Sequence, residues 1–376
     1  SYSVFLTVSK EEQLSRLEKR NPNMLNNFIQ RWIPLEELYF KTIKKYSRDE
    51  LQYFSLAFAS LVDEMTRKEL QDPFYGWFEQ NLLNAGSGQF FTPRPVADLL
   101  AQLEYIPTVD KADKTDNDKR IYDPCCGSGG FLIRAFEYVR EHIENEVEVR
   151  KEDVKKSLFT DDYSKLPKKE QEKNDQKVID AFSKMNYELD INNPMGRLRS
   201  LSFDCIYGTD ANPRMARTAK MNMIMHGDGH GGVHHHDGLL NVNGIWEGRF
   251  DVILTNPPFG ARIDKELKIT EADRFTDIEK IKAYEKRYGK ENYDNALKQV
   301  NDHINQPILD LFQIGKFSGL TEVLFIERCL NLLKPGGRMG IVLPEGVLNN
   351  TNLQKVRDFV ESKAKILLIV SIPQDV

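Results

Sequence analysis

The hydrophobic pattern divides the chain into two parts. Over the first 85 or so residues, apolar positions recur at helical spacing among charged ones, as in LQYFSLAFASLVDEM from Leu51 to Met65. From about Ile121, short apolar runs that end in Asp, Asn or Gly alternate with helix-like segments. This alternation is typical of a mostly parallel sheet covered by helices. We therefore predict an α/β protein, with a helical N-terminal domain over residues 1–85 and a second domain over residues 86–376.

Five apolar runs in the second domain are candidate strands: RIYDP, CIYGTD, GGVHHHDG, FDVILTNPP and RMGIVLP. Two densely charged segments, at about residues 141–199 and 261–319, lie between these runs and carry a helical pattern. We interpret both as solvated helical insertions rather than as arms that contact nucleic acid.

Composition is that of a folded protein that stays out of membranes. Of the 376 residues, 40% are hydrophobic and 10% aromatic, which is enough for sizeable cores. No stretch approaches the roughly 18 to 20 consecutive apolar residues of a membrane span, and the first ten residues lack the apolar centre of a secretory signal. The four cysteines form no CxxC pair, so neither a zinc site nor a disulfide framework is indicated. We expect a cytosolic protein.

Charge and chain ends add two expectations. The formal net charge is −5, so any binding of nucleic acid is local or shared with a partner. The chain starts without Met and ends at ILLIVSIPQDV, just after a strand-like run. We expect a fragment whose C-terminal end is truncated, with further sequence after Val376.

Three strand ends carry groups suited to a nucleotide-like ligand. In DPCCGSGGFLIRAF, a glycine turn containing Gly127, Gly129 and Gly130 joins a strand to a helix, so backbone can approach a ligand at the helix N-terminus. At the next strand end, Asp210 can accept hydrogen bonds from two ribose hydroxyls. At the third, Asp237 can accept from an adenine amino group. Taken singly, the turn could be a tight connection and Asp210 a helix cap.

Histidines cluster between the second and third of these strand ends, but a metal site is disfavoured. Adjacent residues of a strand point to opposite faces, so no more than two of three consecutive histidines converge, and no neighbouring Cys or Glu completes a ligand set. The residues concerned are His226, His230, His234, His235 and His236.

The run FDVILTNPPFG reads as a buried strand that stops at Asn-Pro-Pro-Phe. Proline fixes φ, so the Asn256 amide oxygen and the Pro257 carbonyl become two rigid acceptors at the sheet edge, with Pro258 holding Pro257 extended. Two acceptors that grip both N–H bonds of an exocyclic amino group favour its attack on an electrophilic methyl group. Phe259 would stack on a target base that has left its duplex.

These residues resemble a known family. GQFFTPRPVADLL, DPCCGSGGFLI, GTDANPRMARTAKMNMIMHG, NPPFG and LNLLKPGGRMGIVLPEGVL occur in the order found in N6-adenine DNA methyltransferases, such as the modification subunits of type I restriction-modification systems. The resemblance implies a Rossmann-like domain dependent on S-adenosylmethionine, in the cytoplasm of a prokaryote. It also implies that the protein methylates adenine N6 in double-stranded DNA with the adenine flipped out. Further implied partners are a specificity subunit and a restriction subunit; no metal is implied.

The resemblance assigns roles residue by residue. The implied cofactor-binding residues are Phe90, Phe91, Thr92, Pro93, Asp123, Gly127, Gly129, Asp210 and Asp237. The implied catalytic residues are Asn256, Pro257, Pro258 and Phe259. Two departures from the family pattern are Cys126, where a small residue such as Ala is common, and HDGLL, which replaces a Gly-Asp-Ser pattern.

Three alternatives stay open at the level of sequence. The same Asn-Pro-Pro-aromatic chemistry serves methylation of amino groups in RNA and of glutamine amides in proteins. Cytosine N4 is a further target, although that subgroup usually has Ser in place of Asn256. A scaffold without activity, retained for assembly of a restriction complex, is the last alternative. The recognition sequence, the stoichiometry, a nuclease partner and the role of the insertions do not follow from the sequence.

Overall fold

A computed structural model describes residues 94–103, 120–227 and 232–371. The predicted helical N-terminal domain, the segment Phe90 to Pro93 and His230 lie outside these described residues. Among the helices within them, none is both long enough and apolar enough to span a bilayer.

A five-stranded, fully parallel sheet forms the centre of the described part of the chain. In chain order the strands are β1 (Ile121–Asp123), β2 (Ile206–Asp210), β3 (Val233–His235), β4 (Phe250–Thr255) and β5 (Leu333–Ile341). Their spatial order is β3-β2-β1-β4-β5. This confirms the prediction of an α/β protein with a parallel sheet. Strands β1 and β4 are almost wholly buried, as expected when helices cover both faces of a parallel sheet.

Ten α-helices surround the sheet within the described residues. They are α1 (Arg94–Leu103), α2 (Gly130–Leu158), α3 (Lys168–Leu189), α4 (Arg197–Ser200), α5 (Pro213–Met225), α6 (Ile278–Tyr288), α7 (Lys290–Asn301), α8 (Thr321–Leu332), α9 (Glu345–Asn349) and α10 (Gln354–Lys363).

Alternation along the strands assigns the two faces of the sheet. A Cβ on Gly208 would lie 2.6 Å from Leu132, so α2 packs closely on that face. The neighbouring Tyr207 points to the opposite face, into a cluster with Phe250, Ile253 and Leu332 of α8. The core therefore has α2 on one side of the sheet and α8 on the other.

The predicted strand RMGIVLP starts earlier than its sequence indicates. Strand β5 begins at Leu333 and includes the Pro-Gly-Gly stretch, with Gly336 at a φ of 83°. Its pairing with β4 shifts register between Phe250 and Val252. This shift leaves the Pro-Gly-Gly residues of β5 outside the regular pairing, so they do not interrupt the strand.

The first charged insertion is a solvated helical hairpin. Helix α2 runs unbroken through residue 141, and its second half leaves the sheet to pack against α3. Val178 is the buried residue of α3. The Arg150 guanidinium forms a two-pronged ion pair with Glu188, at 3.0 and 2.7 Å, which links the two helices.

The second charged insertion is not a solvated excursion, and that interpretation was wrong. Residues 261–319 contribute fully buried side chains such as Ile269 and Tyr293. Val300 and Phe312 enter one core cluster with Phe325 of α8. The segment is charged on its outer face but folds onto the sheet domain.

Candidate active site

The polar residues predicted from strand ends lie along one edge of the sheet. All five strands are parallel, so their carboxyl ends share that edge, where Asp123 ends β1, Asp210 ends β2 and Thr255 ends β4. The chain builds outward from β1 to β3 and then returns to place β4 on the other side of β1. Ligands of open α/β sheets bind at such a switch point, here between β1 and β4.

The glycine turn after β1 leaves open space beside its backbone. Gly127 has a φ of 54°, and a Cβ added there would meet no atom within 4 Å. Gly129 has a φ of 91° and packs on Ala219 of α5, 3.4 Å from the position of an added Cβ. Glycine is needed at both positions for conformation, and at Gly127 its small size also preserves an unfilled space.

Asp210 is bound to this turn. Its Oδ2 accepts a hydrogen bond from the Gly127 amide at 3.0 Å, and its Oδ1 accepts one from the Asn212 amide at 2.8 Å. The cap of α5 is Asn212, whose Oδ1 accepts from the Arg214 amide at 2.9 Å. Burial raises the pKa of Asp210, and the two amide hydrogen bonds and His235 partly offset this effect. Each carboxylate oxygen has a further lone pair for a ligand hydroxyl.

The loop after β3 is held against the turn after β1. The Asp237 carboxylate accepts from the Leu239 amide at 2.9 Å. Gly238 lies so close to the Pro124 carbonyl that an added Cβ would come within 2.0 Å of its oxygen. The buried Arg328 donates from Nε to the Gly238 carbonyl at 3.0 Å. The structure therefore brings the Asp237 loop beside the glycine turn.

A buried network joins β1 to β4 at the switch point. Asp123, 1% exposed, accepts at Oδ1 from the Thr255 hydroxyl at 2.7 Å and from the Cys125 amide at 3.0 Å. Because the Thr255 hydroxyl donates to Asp123, the Cys125 thiol, 3.1 Å away, donates to Thr255. Burial raises the pKa of Asp123 to about 7 against the opposing effect of these hydrogen bonds. Asp123 is thus a support beneath the site.

The Cys125 thiol is unsuited to nucleophilic chemistry. Burial and the neighbouring Asp123 carboxylate raise its pKa, so the thiol stays protonated. Its role is to donate a hydrogen bond within the network.

The Asn-Pro-Pro-Phe segment leaves the sheet directly after Thr255. Asn256 is partly buried and Pro257 is buried, whereas Pro258 and Phe259 are exposed. The exposed fraction of Phe259 is 43%. The partly buried amide group of Asn256 at the strand end is thus followed three residues later by an aromatic ring open to solvent.

Sequence reasoning missed the groups that support this edge. Thr255, Arg328 and Glu322 are all buried and each contacts a loop of the site. The signal for Thr255 was its place directly before Asn256, but nothing in the sequence indicates its partner.

The histidines do not form a metal site in the part of the chain described. Within residues 94–103, 120–227 and 232–371, no group of three or more His, Cys, Asp or Glu side chains is arranged to hold a metal ion. His234 accepts at Nδ1 from the Asn243 side-chain amide at 3.0 Å, and burial lowers its pKa to about 3. The imidazole is therefore neutral near pH 7.

The chain belongs to the N-6 DNA Methylase family. The family matches residues 73–174 and 199–289, which together make up half of the chain and include the glycine turn, Asp210 and the Asn-Pro-Pro-Phe segment. The gap between the matched segments falls within the solvated hairpin.

Curated relatives belong to type I restriction enzymes. The methylase subunit of EcoEI from Escherichia coli is 24% identical over 312 residues, which is 82% of this chain and 44% of the relative. The methylase subunit of StySPI from Salmonella potsdam is 26% identical over 202 residues, which is 52% of this chain and 28% of the relative. The chain thus spans less than half of the length of these relatives.

Solved structures that this chain is similar to include two from type I systems. The M protein of the type I restriction enzyme EcoKI is 18% identical, with a TM-score of 0.37, and the match covers 74% of this chain and 39% of that one. A chain from a type I restriction-modification assembly is 22% identical, with a TM-score of 0.41, over 75% of this chain and 39% of that one.

Proposed function

We propose that this chain is the catalytic part of an S-adenosylmethionine-dependent methyltransferase that acts on adenine N6 in DNA, within a restriction-modification system. Membership of the N-6 DNA Methylase family supports the reaction class. The observation that carries the proposal is the hydrogen bond between Asp123 and Thr255. This bond joins the glycine turn after β1, which would bind a nucleoside, to the Asn-Pro-Pro-Phe segment after β4, which would bind an amino group.

The residues of the β1 edge fit an adenosine-containing cofactor. Space remains open beside the Gly127 backbone, and the Asp210 carboxylate has lone pairs left for ribose hydroxyls. Asp237, held next to the turn, would accept from the adenine amino group. Once bound, S-adenosylmethionine supplies an electrophilic methyl group on a sulfonium centre.

The β4 loop would supply orientation rather than a strong base. The Asn256 amide oxygen and the Pro257 carbonyl would accept the two N–H bonds of the adenine amino group, so that its nitrogen lone pair is no longer delocalised into the ring. The amino nitrogen would then form a bond to the methyl carbon as the carbon–sulfur bond breaks, the sulfur would leave as a neutral thioether, and the amino group would release one proton to solvent. Acceptors fixed before the reaction lower the barrier because they need no reorganisation.

Phe259 would stack on the target adenine outside the duplex. The ring is already exposed at the site, so its apolar face is available to a flipped base. The chain's net charge of −5 does not favour extensive contact with phosphates, so we propose that DNA is gripped jointly with a specificity subunit. A restriction subunit is a further proposed partner in the cytoplasm of a prokaryote.

The test is mass spectrometry of nucleosides from unmethylated DNA incubated with S-adenosylmethionine and the full-length protein, with and without the products of neighbouring genes. We expect N6-methyladenine with the wild type and a loss of at least about 10²-fold with Asn256→Ala, the size of effect seen when one oriented polar group is removed from an active site. Asn295→Ala, at an exposed position on α7, is the matched control and should keep full activity.

Each other outcome has a defined meaning. Activity that survives Asn256→Ala would remove this residue from the mechanism. Cofactor binding without methylation of DNA under any condition would reject the proposed substrate in favour of RNA, a protein glutamine or a scaffold role.

A further inference from the structure

A buried carboxylate contacts the far end of the Asn-Pro-Pro-Phe segment. Glu322 lies in the first turn of α8 and is 3% exposed. Its Oε2 accepts a hydrogen bond from the Gly260 amide at 3.1 Å. Gly260 directly follows Phe259 and has a φ of 71°, so the chain turns sharply where the carboxylate holds it.

Burial of a carboxylate needs compensation from its surroundings. An acidic group in the first turn of a helix is stabilised by the amide dipoles at the helix N-terminus, and each hydrogen bond to the charge adds to this effect. The hydrogen bond of Glu322 goes to a residue 62 positions away, in the site loop. The contact thus ties α8 to the loop.

The neighbouring residue of α8 strengthens this connection. Thr321 donates to the Ala261 carbonyl from both its amide and its hydroxyl, each at 3.0 Å. Beyond Ala261, the Ile263 amide donates to the Gly319 carbonyl at 2.9 Å. The exit of the loop is therefore fastened to the start of α8 over several consecutive residues.

We propose that Glu322 is a positioning residue, which fixes residues 256–259 by holding the exit of the loop. The entrance is already fixed, because Thr255 is fully buried and bound to Asp123. A segment of four residues with two prolines, held at both ends, has little freedom to move Asn256 or Phe259. The proposal rests on the proposed function, since it assigns a support to the same site.

The test compares Glu322→Met, Glu322→Gln and Glu345→Met. Methionine fills the buried space without accepting the hydrogen bond, whereas the glutamine amide oxygen still accepts it. Glu345 is an exposed glutamate in the first turn of α9 and serves as the matched control. Two readouts apply to the full-length protein: hydrogen exchange of the backbone over residues 256–263, and the single-turnover rate of methyl transfer to DNA at saturating cofactor.

With Glu322→Met we expect faster exchange over residues 256–263 and a methyl-transfer rate lower by about 10- to 100-fold, because a displacement near 1 Å at a reacting group has an effect of that size. The dissociation constant of the cofactor should not change, since Gly127 and Asp210, which are proposed to bind it, are not altered. Glu322→Gln should restore both readouts, and Glu345→Met should match the wild type.

A purely structural role predicts a different pattern, in which Glu322→Met lowers the melting temperature while the rate per folded molecule stays the same. That result, or unchanged exchange over residues 256–263, would overturn the proposal. If the wild type methylates no DNA, the proposed function fails by itself. Hydrogen exchange over residues 256–263 then decides whether Glu322 holds the exit of the loop. Faster exchange in Glu322→Met supports this role, and unchanged exchange refutes it.

Discussion

The Thr255 hydroxyl provides the sharpest test of the buried network. Thr255→Val keeps the shape of the side chain but removes the hydroxyl that donates to Asp123 at 2.7 Å and accepts from the Cys125 thiol. Thr255 is fully buried, so water cannot replace the missing donor. The Cys125 amide still donates to Asp123, so the carboxyl loses one of two protein partners.

The loss in the free energy of unfolding caused by Thr255→Val depends on whether Asp123 is charged. Its pKa is about 7, so it is neutral well below pH 7 and ionised well above it. A hydrogen bond to a neutral group contributes about 0.5–1.5 kcal/mol to the free energy of unfolding, and one to a charged group about 1.5–3 kcal/mol. The loss in Thr255→Val should therefore be about twice as large at pH 8.5 as at pH 5.5.

Chemical unfolding at the two pH values measures this difference directly. Thr255→Ser is the control, because it retains the hydroxyl and loses only a methyl group. Its loss of stability should be similar at both pH values. An equal loss for Thr255→Val at pH 5.5 and pH 8.5 would show that its hydroxyl does not stabilise the ionised form of Asp123.

Two further predictions concern the same edge of the sheet. First, the folded-state pKa of Asp123 lies above its ordinary value of 3.8, so its contribution to stability is complete below about pH 4 and is lost as the pH rises through 7. Asp123→Asn should therefore show a smaller fall in the free energy of unfolding between pH 4 and pH 8, and a fall equal to that of the wild type would contradict this. Secondly, Gly127→Ala and Gly248→Ala should each lose about 1–2 kcal/mol, because both glycines have a positive φ and open space for a Cβ. Calorimetric titration with S-adenosylmethionine should show weaker binding for Gly127→Ala alone, and equal affinity in both variants would place the cofactor elsewhere.

The sequence predicted the sheet well because its signals are local. Four of the five apolar runs contain a whole strand and the fifth contains the last part of β5, and in the first four runs a polar residue ends the strand or follows it closely. Parallel strands put these ends on one edge, which is where Asp123, Asp210 and Asn256 lie. Where a strand was misjudged, as at β5, the cause was a Pro-Gly-Gly stretch tolerated through a register shift.

The second insertion shows why average composition misleads. Eight of the twelve residues of helix α7 are polar or charged, yet Tyr293, Ala296 and Val300 form one buried stripe at helical spacing. A single stripe is enough to bind a helix to a core, whatever the charge of its other faces. The helical periodicity was present in the sequence, but the total charge favoured the interpretation of a solvated segment.

The supports of the site could not be predicted, because they join residues that are distant in sequence. Thr255 and Asp123 are 132 positions apart, and Glu322 and Gly260 are 62 apart. No motif encodes such a pair, since neither residue carries a signal in the sequence for its partner. Only the topology, which places β4 beside β1 and the start of α8 beside the β4 loop, brings them together.

This arrangement gives a physical reason for two consecutive prolines in the loop. Proline lowers the conformational entropy of the unfolded chain, so residues 257 and 258 lose less freedom when the loop is ordered. The Thr255 and Glu322 contacts then fix the two ends of an already restricted segment. Under the proposed function, the groups that orient an amino nitrogen are set when the protein folds, so binding energy need not be used to order them. Loosening either end should therefore slow methyl transfer more than it weakens the affinity for cofactor.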